Sequence, residues 1–145
     1  MAGDAEDART RSYTHRLRVR YSECDAQGVV FNGWYLFYYD VALTEFQRET
    51  HGPYSELVAS GLELVVAEAN VRFRGAVRFD DWLDVTLRVS NLGRTSFGMA
   101  ASFAVDERPV ADAAVRHVLV GAQSGEKTEL PADMRATLEP YLEVR

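Results

Sequence analysis

The stretch from Asn32 to His51 constrains this chain most. Trp34-Tyr35-Leu36-Phe37-Tyr38-Tyr39 is an unbroken run of six large apolar or aromatic residues, and Val41, Ala42, Leu43 and Phe46 follow. The length and composition predict a helix with no polar face in its first three turns, and such a helix needs cover on most sides. Gln47, Arg48 and Glu49 restore a polar side where it emerges, and Gly52-Pro53 ends it. Asn32 or its neighbour is the expected N-cap. Tyr54 to Ser60 has room for one short helical turn before Gly61.

Strand patterns flank this helix. His15, Leu17, Val19 and Tyr21 alternate with Arg16, Arg18, Arg20 and Ser22 before a turn-rich segment, Glu23 to Gly28. After the helix, Val65, Ala67, Ala69, Val71 and Phe73 alternate with Val66, Glu68, Asn70, Arg72 and Arg74. Leu83 to Val89 and Phe97 to Val105 repeat the pattern, and Val110 to Ala122 makes a last strand. Breaks fall at 75–81, 91–93 and 106–109, and Pro131 opens a short final helix over 132–141. One greasy helix among five strands predicts an α+β chain in which a curved antiparallel sheet wraps a long central helix. The sheet leaves edges open, so two copies are expected to pair edge to edge. Residues 1–12 read as a flexible tail and 13–145 as one domain.

Composition narrows the function. Apolar residues make 47% and charged residues 26% of 145, an ordinary globular balance. Net charge of −6 argues against a nucleic-acid binder, which needs a basic face. No apolar run approaches the roughly 20 residues of a membrane-spanning helix. The acidic start, Asp4 to Asp7, lacks the basic and apolar regions of a signal peptide, so a cytoplasmic location is expected. The single cysteine, Cys24, excludes an internal disulfide. His15, His51 and His117 make no metal-ligand spacing, and no metal or cofactor is expected.

Chemistry concentrates where the first strand meets the helix. Asp25 precedes the helix N-terminus, whose unpaired N–H groups and partial positive charge polarise a carbonyl or hold an anion. Gly28 permits a tight backbone approach. A carboxylate beside helix-end amides is a minimal set for acyl transfer: one attacks or activates water, the others stabilise the oxyanion. The plainer alternative is that Asp25 caps a turn.

The segment Asp25-Ala26-Gln27-Gly28-Val29-Val30-Phe31-Asn32-Gly33-Trp34-Tyr35 resembles the signature of hotdog-fold acyl-CoA thioesterases of the 4-hydroxybenzoyl-CoA thioesterase type. The likeness covers roughly residues 13–123. Weaker likenesses occur over 71–81 and at Gly93-Arg94-Thr95-Ser96-Phe97. This resemblance implies a hotdog fold, dimers often paired into tetramers, sites at the dimer interface, and no cofactor. It implies Asp25 as the catalytic carboxylate and the Asn32 amide as the group that polarises the thioester. Many relatives have His or Tyr at that position, a departure that bears on substrate choice. Gly28, Val29, Val30, Phe31 and Gly33 fall around the substrate, and Arg94, Thr95 and Ser96 match positions near the pantetheine arm. Arg72, Arg74, Arg78 and Arg94 are candidates for the CoA phosphates. The implied substrate is acyl-CoA or an acyl carrier protein thioester. Rival expectations are a non-catalytic acyl-CoA sensor, which would usually lack the carboxylate, and an enoyl-thioester hydratase, which would need a His before His51.

Other residues read as structural. Strand alternation points Cys24 away from Asp25, as a buried thiol. Glu45 is expected to be ion-paired and His117 to pack. The aromatic run is mainly core, with one or two rings beside an acyl tunnel. The first strand's arginines form a solvated face.

Overall fold

The computed structural model describes residues 11–143. Most of the expected tail therefore lies outside the described residues, although the Arg11 N–H donates to the Pro140 carbonyl at 3.1 Å. The strands are β1 (Tyr13–Arg18), β2 (Leu62–Phe73), β3 (Trp82–Leu92), β4 (Ser96–Val105) and β5 (Arg108–Gly121). The helices are α1 (Trp34–Thr50), α2 (Tyr54–Ala59) and α3 (Ala132–Leu138). The strands form one sheet in the order β1-β3-β4-β5-β2, with every neighbouring pair antiparallel.

Period-2 patterning decides the central strands. Leu83, Val85, Leu87 and Val89 of β3 and Phe97, Met99, Ala101 and Phe103 of β4 are all buried on the face that holds α1. The helix answers with Tyr35, Tyr38, Tyr39, Ala42, Leu43 and Phe46, a buried stripe at helical spacing. Tyr35 packs edge-on against Phe73 and Phe103, with centroids 5.1 and 5.5 Å away. The N-terminus of α1 thus sits over the end of the sheet where β2 and β4 finish.

Three expectations need correction. The sheet leaves part of α1 uncovered in the protomer: Leu36 and Phe37 stay 40% and 56% exposed. The N-cap is Gly33, the neighbour of Asn32, within what the sequence allowed, and no side chain caps this end. Tyr21 lies beyond β1 in a single 3-10 turn and is exposed, so it shares no face with Leu17. In β2 a bulge between Val66 and Glu68 leaves Ala67 without a partner on β5. One extra residue reverses the faces, so Leu64 and Val66 line a cleft with α1, while Phe73 beyond the bulge also meets α1.

β2 is an edge strand, and most of it is exposed, including Val65 and Val66. Among the described residues its outer edge has no strand partner in the protomer, the Leu64 N–H alone reaching the Tyr54 hydroxyl at 3.3 Å, and is a largely apolar template for another strand.

Candidate active site

Asp25-Ala26-Gln27-Gly28 is a tight hairpin turn. The Gly28 N–H donates to the Asp25 carbonyl, and the Asp25 N–H donates to the Val29 carbonyl, both at 2.9 Å. Gly28 has φ +78°, the left-handed conformation that closes such a three-residue loop and that side chains resist. Asp25 also accepts the Gln27 N–H on Oδ1 at 2.8 Å, so the turn-capping role is present. Its Oδ2 has no protein donor among the described residues, and the side chain is half-buried. The carboxylate is positioned by its own turn and keeps one oxygen free for chemistry.

The returning arm of the hairpin leads straight into α1. Cys24 bridges Val30, and the Phe31 N–H donates to the Glu23 carbonyl at 2.9 Å. The Val30 N–H donates to the Val77 carbonyl at 2.7 Å, and Val29 bridges Arg78. These pairings place Asp25, Val29 and Arg78 in one row across three short segments, with side chains on one face. The Trp34 and Tyr35 N–H groups turn back to Phe31 and Asn32 carbonyls. The Asn32 and Gly33 amides have no protein acceptor among the described residues, and both residues are exposed. Gly33 has ordinary helical φ; its lack of a side chain matters because a Cβ there would stand 3.0 Å from the Phe31 ring.

A buried carboxylate absent from the sequence expectations locks this unit. Glu23 is 5% exposed, and its Oε1 accepts the Tyr38 hydroxyl and the Arg20 N–H, both at 2.8 Å. Burial, and then this hydrogen bond, push the Tyr38 phenol well above its ordinary range. The pair fastens the hairpin to the second turn of α1. No local pattern announces it, since the partners lie fifteen residues apart.

The remaining candidates are distributed by the fold. Thr95 and Ser96 lie at the start of β4, the end of the sheet opposite Asp25 within one protomer. Arg94 is ion-paired with Glu129 at 3.9 Å, and Arg74 with Asp112 at 3.0 Å; among the described residues Arg72 and Arg78 have no carboxylate partner. Glu45 pairs with Arg48 at 3.5 Å, as expected. Cys24 is half-buried, and its thiol lies 3.9 Å from the Arg20 carbonyl.

His117 packs, as expected. Its ring stacks between Tyr39 and Phe97, and Nε2 lies 2.6 Å from the Tyr39 hydroxyl. Burial lowers its pKa to about 4. A histidine depressed from its ordinary 6.5 contributes its stability above that pH and loses it as the pH falls from 6.5 toward 4. By linkage the loss reaches roughly 2–3 kcal/mol near pH 4. Thermal melts between pH 7.5 and 4.5 are expected to fall less steeply for His117→Gln than for the natural chain; parallel slopes would contradict the assignment.

Among the described residues no helix is long and apolar enough to cross a membrane. The family model of the thioesterase-like superfamily matches residues 19–138. Acyl-CoA thioester hydrolase YbgC of Escherichia coli O6:H1 is 32% identical over 80 residues, which are 55% of this chain and 60% of that protein. The crystal structure of a hypothetical protein from Aquifex aeolicus superposes with a TM-score of 0.83 at 30% identity, covering 87% of this chain and 98% of its own. A 1,4-dihydroxy-2-naphthoyl-CoA thioesterase from Synechocystis shares the fold, with a TM-score of 0.82 at 20% identity over 88% of this chain and 96% of its own. The expected hotdog architecture is therefore present, and the chain belongs to the thioesterase-like superfamily, a family of thioester hydrolases.

Proposed function

We propose that this protein hydrolyses an acyl-CoA: water and the thioester give a carboxylic acid and CoA thiol. The carrying observation is a half-buried Asp25 with a free carboxylate oxygen, on a hairpin that runs into a helix end with two unpaired amides. Asp25 either takes a proton from the attacking water, or attacks the thioester carbon to form a mixed anhydride that water then cleaves to release the acid and regenerate the carboxylate. The Asn32 and Gly33 N–H groups stabilise the oxyanion, and its collapse expels the thiolate. Retention of this carboxylate favours hydrolysis over a sensor role. The absence of a histidine among the residues that form the hairpin and helix end disfavours hydration.

The working unit in this reading is a dimer joined along β2. Antiparallel pairing that matches the inner faces sets Leu62, Leu64 and Val66 opposite the partner's Phe73, the partner's Val71 and the partner's Ala69, an apolar seam throughout. It also lays the Thr95 end of one protomer beside the Asp25 end of the other, so the pantetheine contacts come from across the interface. Asp25, Asn32 and Gly33 line neither cleft flanking α1, although Glu23 lines one of them, and their open side fits a site whose far wall is supplied by a second chain.

Thiol release from a panel of aromatic, short-chain and medium-chain acyl-CoAs, followed with a thiol reagent, tests the activity and ranks the acyl groups. Binding without release across the panel would return the protein to the sensor alternative.

A further inference from the structure

A second group of side chains flanks the Asp25 hairpin and takes no part in the hydrolysis. Arg20 and Tyr21 lead into the hairpin, while Arg78 and Phe79 sit on the segment that pairs with it. The Tyr21 and Phe79 rings meet edge to face, with centroids 5.8 Å apart and planes at 85°. They nevertheless remain 79% and 54% exposed. Together with Arg20 they line a cleft of about 490 Å³. The neighbouring arginines are already engaged: Arg18 holds Asp80 at 3.0 Å, Arg16 holds Asp84 at 3.4 Å, and both stack over Trp82. Arg20 and Arg78 have no carboxylate partner among the described residues. Their backbones are held, the N–H groups by the Glu23 and Asp81 carboxylates at 2.8 Å and the carbonyls by the Glu23 and Asp81 N–H groups, while among the described residues the guanidiniums stay unpaired.

One unpaired guanidinium in the cleft with two exposed rings, and a second on the residue before Phe79, match the chemistry of a nucleotide. Guanidinium forks fit phosphate oxygens in pairs, and rings offer a nucleobase a stacking surface. In a chain of net charge −6, such cations are where a polyanionic carrier can dock. Arg78 also stands in the cross-strand row of Val29 and Asp25, its backbone two strand spacings or about 10 Å from that of Asp25. We infer that Arg20, Tyr21, Phe79 and Arg78 clamp the nucleotide end of the CoA thioester, on the protomer whose Asp25 attacks it. This rests on the acyl-CoA reading above and goes beyond it by assigning the carrier's nucleotide to a particular surface.

Calorimetric titration with CoA and with pantetheine, alongside hydrolysis of an acyl-CoA and the matching acyl-pantetheine, tests the clamp. The double variant Arg20→Gln/Arg78→Gln is expected to raise the Kd for CoA and the KM for acyl-CoA at least tenfold, with kcat within twofold. Its kcat/KM on acyl-pantetheine should be unchanged. Tyr21→Ala/Phe79→Ala is expected to weaken CoA binding without changing the mass seen by light scattering. A CoA affinity within twofold of wild type in the arginine variant overturns the clamp, as does a ring variant that loses mass while binding CoA normally, which would make the rings a contact between copies. Hydrolysis of both thioesters with equal efficiency by the natural chain overturns the clamp and leaves hydrolysis standing. Arginine-dependent CoA binding with neither thioester cleaved would keep the clamp and remove the hydrolytic reading. A natural chain that neither binds CoA nor cleaves either thioester overturns both.

Discussion

Asp25→Asn is expected to lower kcat for acyl-CoA hydrolysis by a factor on the order of 10² or more, about 3 kcal/mol of transition-state stabilisation. The substitution separates chemistry from structure. Asparagine keeps an oxygen for the Gln27 N–H, so the turn that presents residue 25 survives. What it loses is the negative charge and the ability to attack or to take a proton. The melting temperature should therefore stay within about 2 °C of the natural chain, since the changed atoms are half-solvated and surface changes are small. Asp25→Ala removes the turn contact as well, and is expected to show the same kinetic loss with a further stability cost of about 1 kcal/mol. Turnover within threefold of the natural chain in a folded Asp25→Asn protein would remove this carboxylate from the mechanism.

Val66→Lys is expected to halve the particle mass at micromolar concentration and to cut acyl-CoA turnover at least tenfold, with far-UV circular dichroism unchanged. Val66 is 58% exposed in the protomer and stands beside the bulge in β2, so a lysine there is tolerated by the single chain. At the seam it buries an unpaired ammonium among apolar residues, a cost of about 3 kcal/mol or more and therefore a hundredfold or more in association. If β2 is where two copies meet, mass and activity fall together and recover together at high protein concentration. A variant that keeps both would place the interface elsewhere.

Within the proposed site, Asp25 and Arg78 differ in how far the sequence alone reveals them. Asp25, Gly28 and the approach to the helix form one continuous segment, and its chemistry follows from local rules of turns and helix ends. Arg78 was one of four arginines without distinction; pairing with Val29 singles it out, and ion pairs to Glu129 and Asp112 occupy Arg94 and Arg74. Glu23 gave no sign of being buried, because its partner Tyr38 comes from another element.

The residues alone determined what depends on near neighbours: the long apolar helix, the alternation of β3 and β4, and the left-handed glycine that closes the Asp25 turn. Those properties follow from backbone periodicity and steric limits on φ, which act over a few residues. Only the tertiary structure decided which face of β2 meets the helix, because one bulged residue reverses the alternation. It likewise decided which cations are left unpaired and which aromatic rings stay in water, since each outcome turns on contacts between residues tens of positions apart.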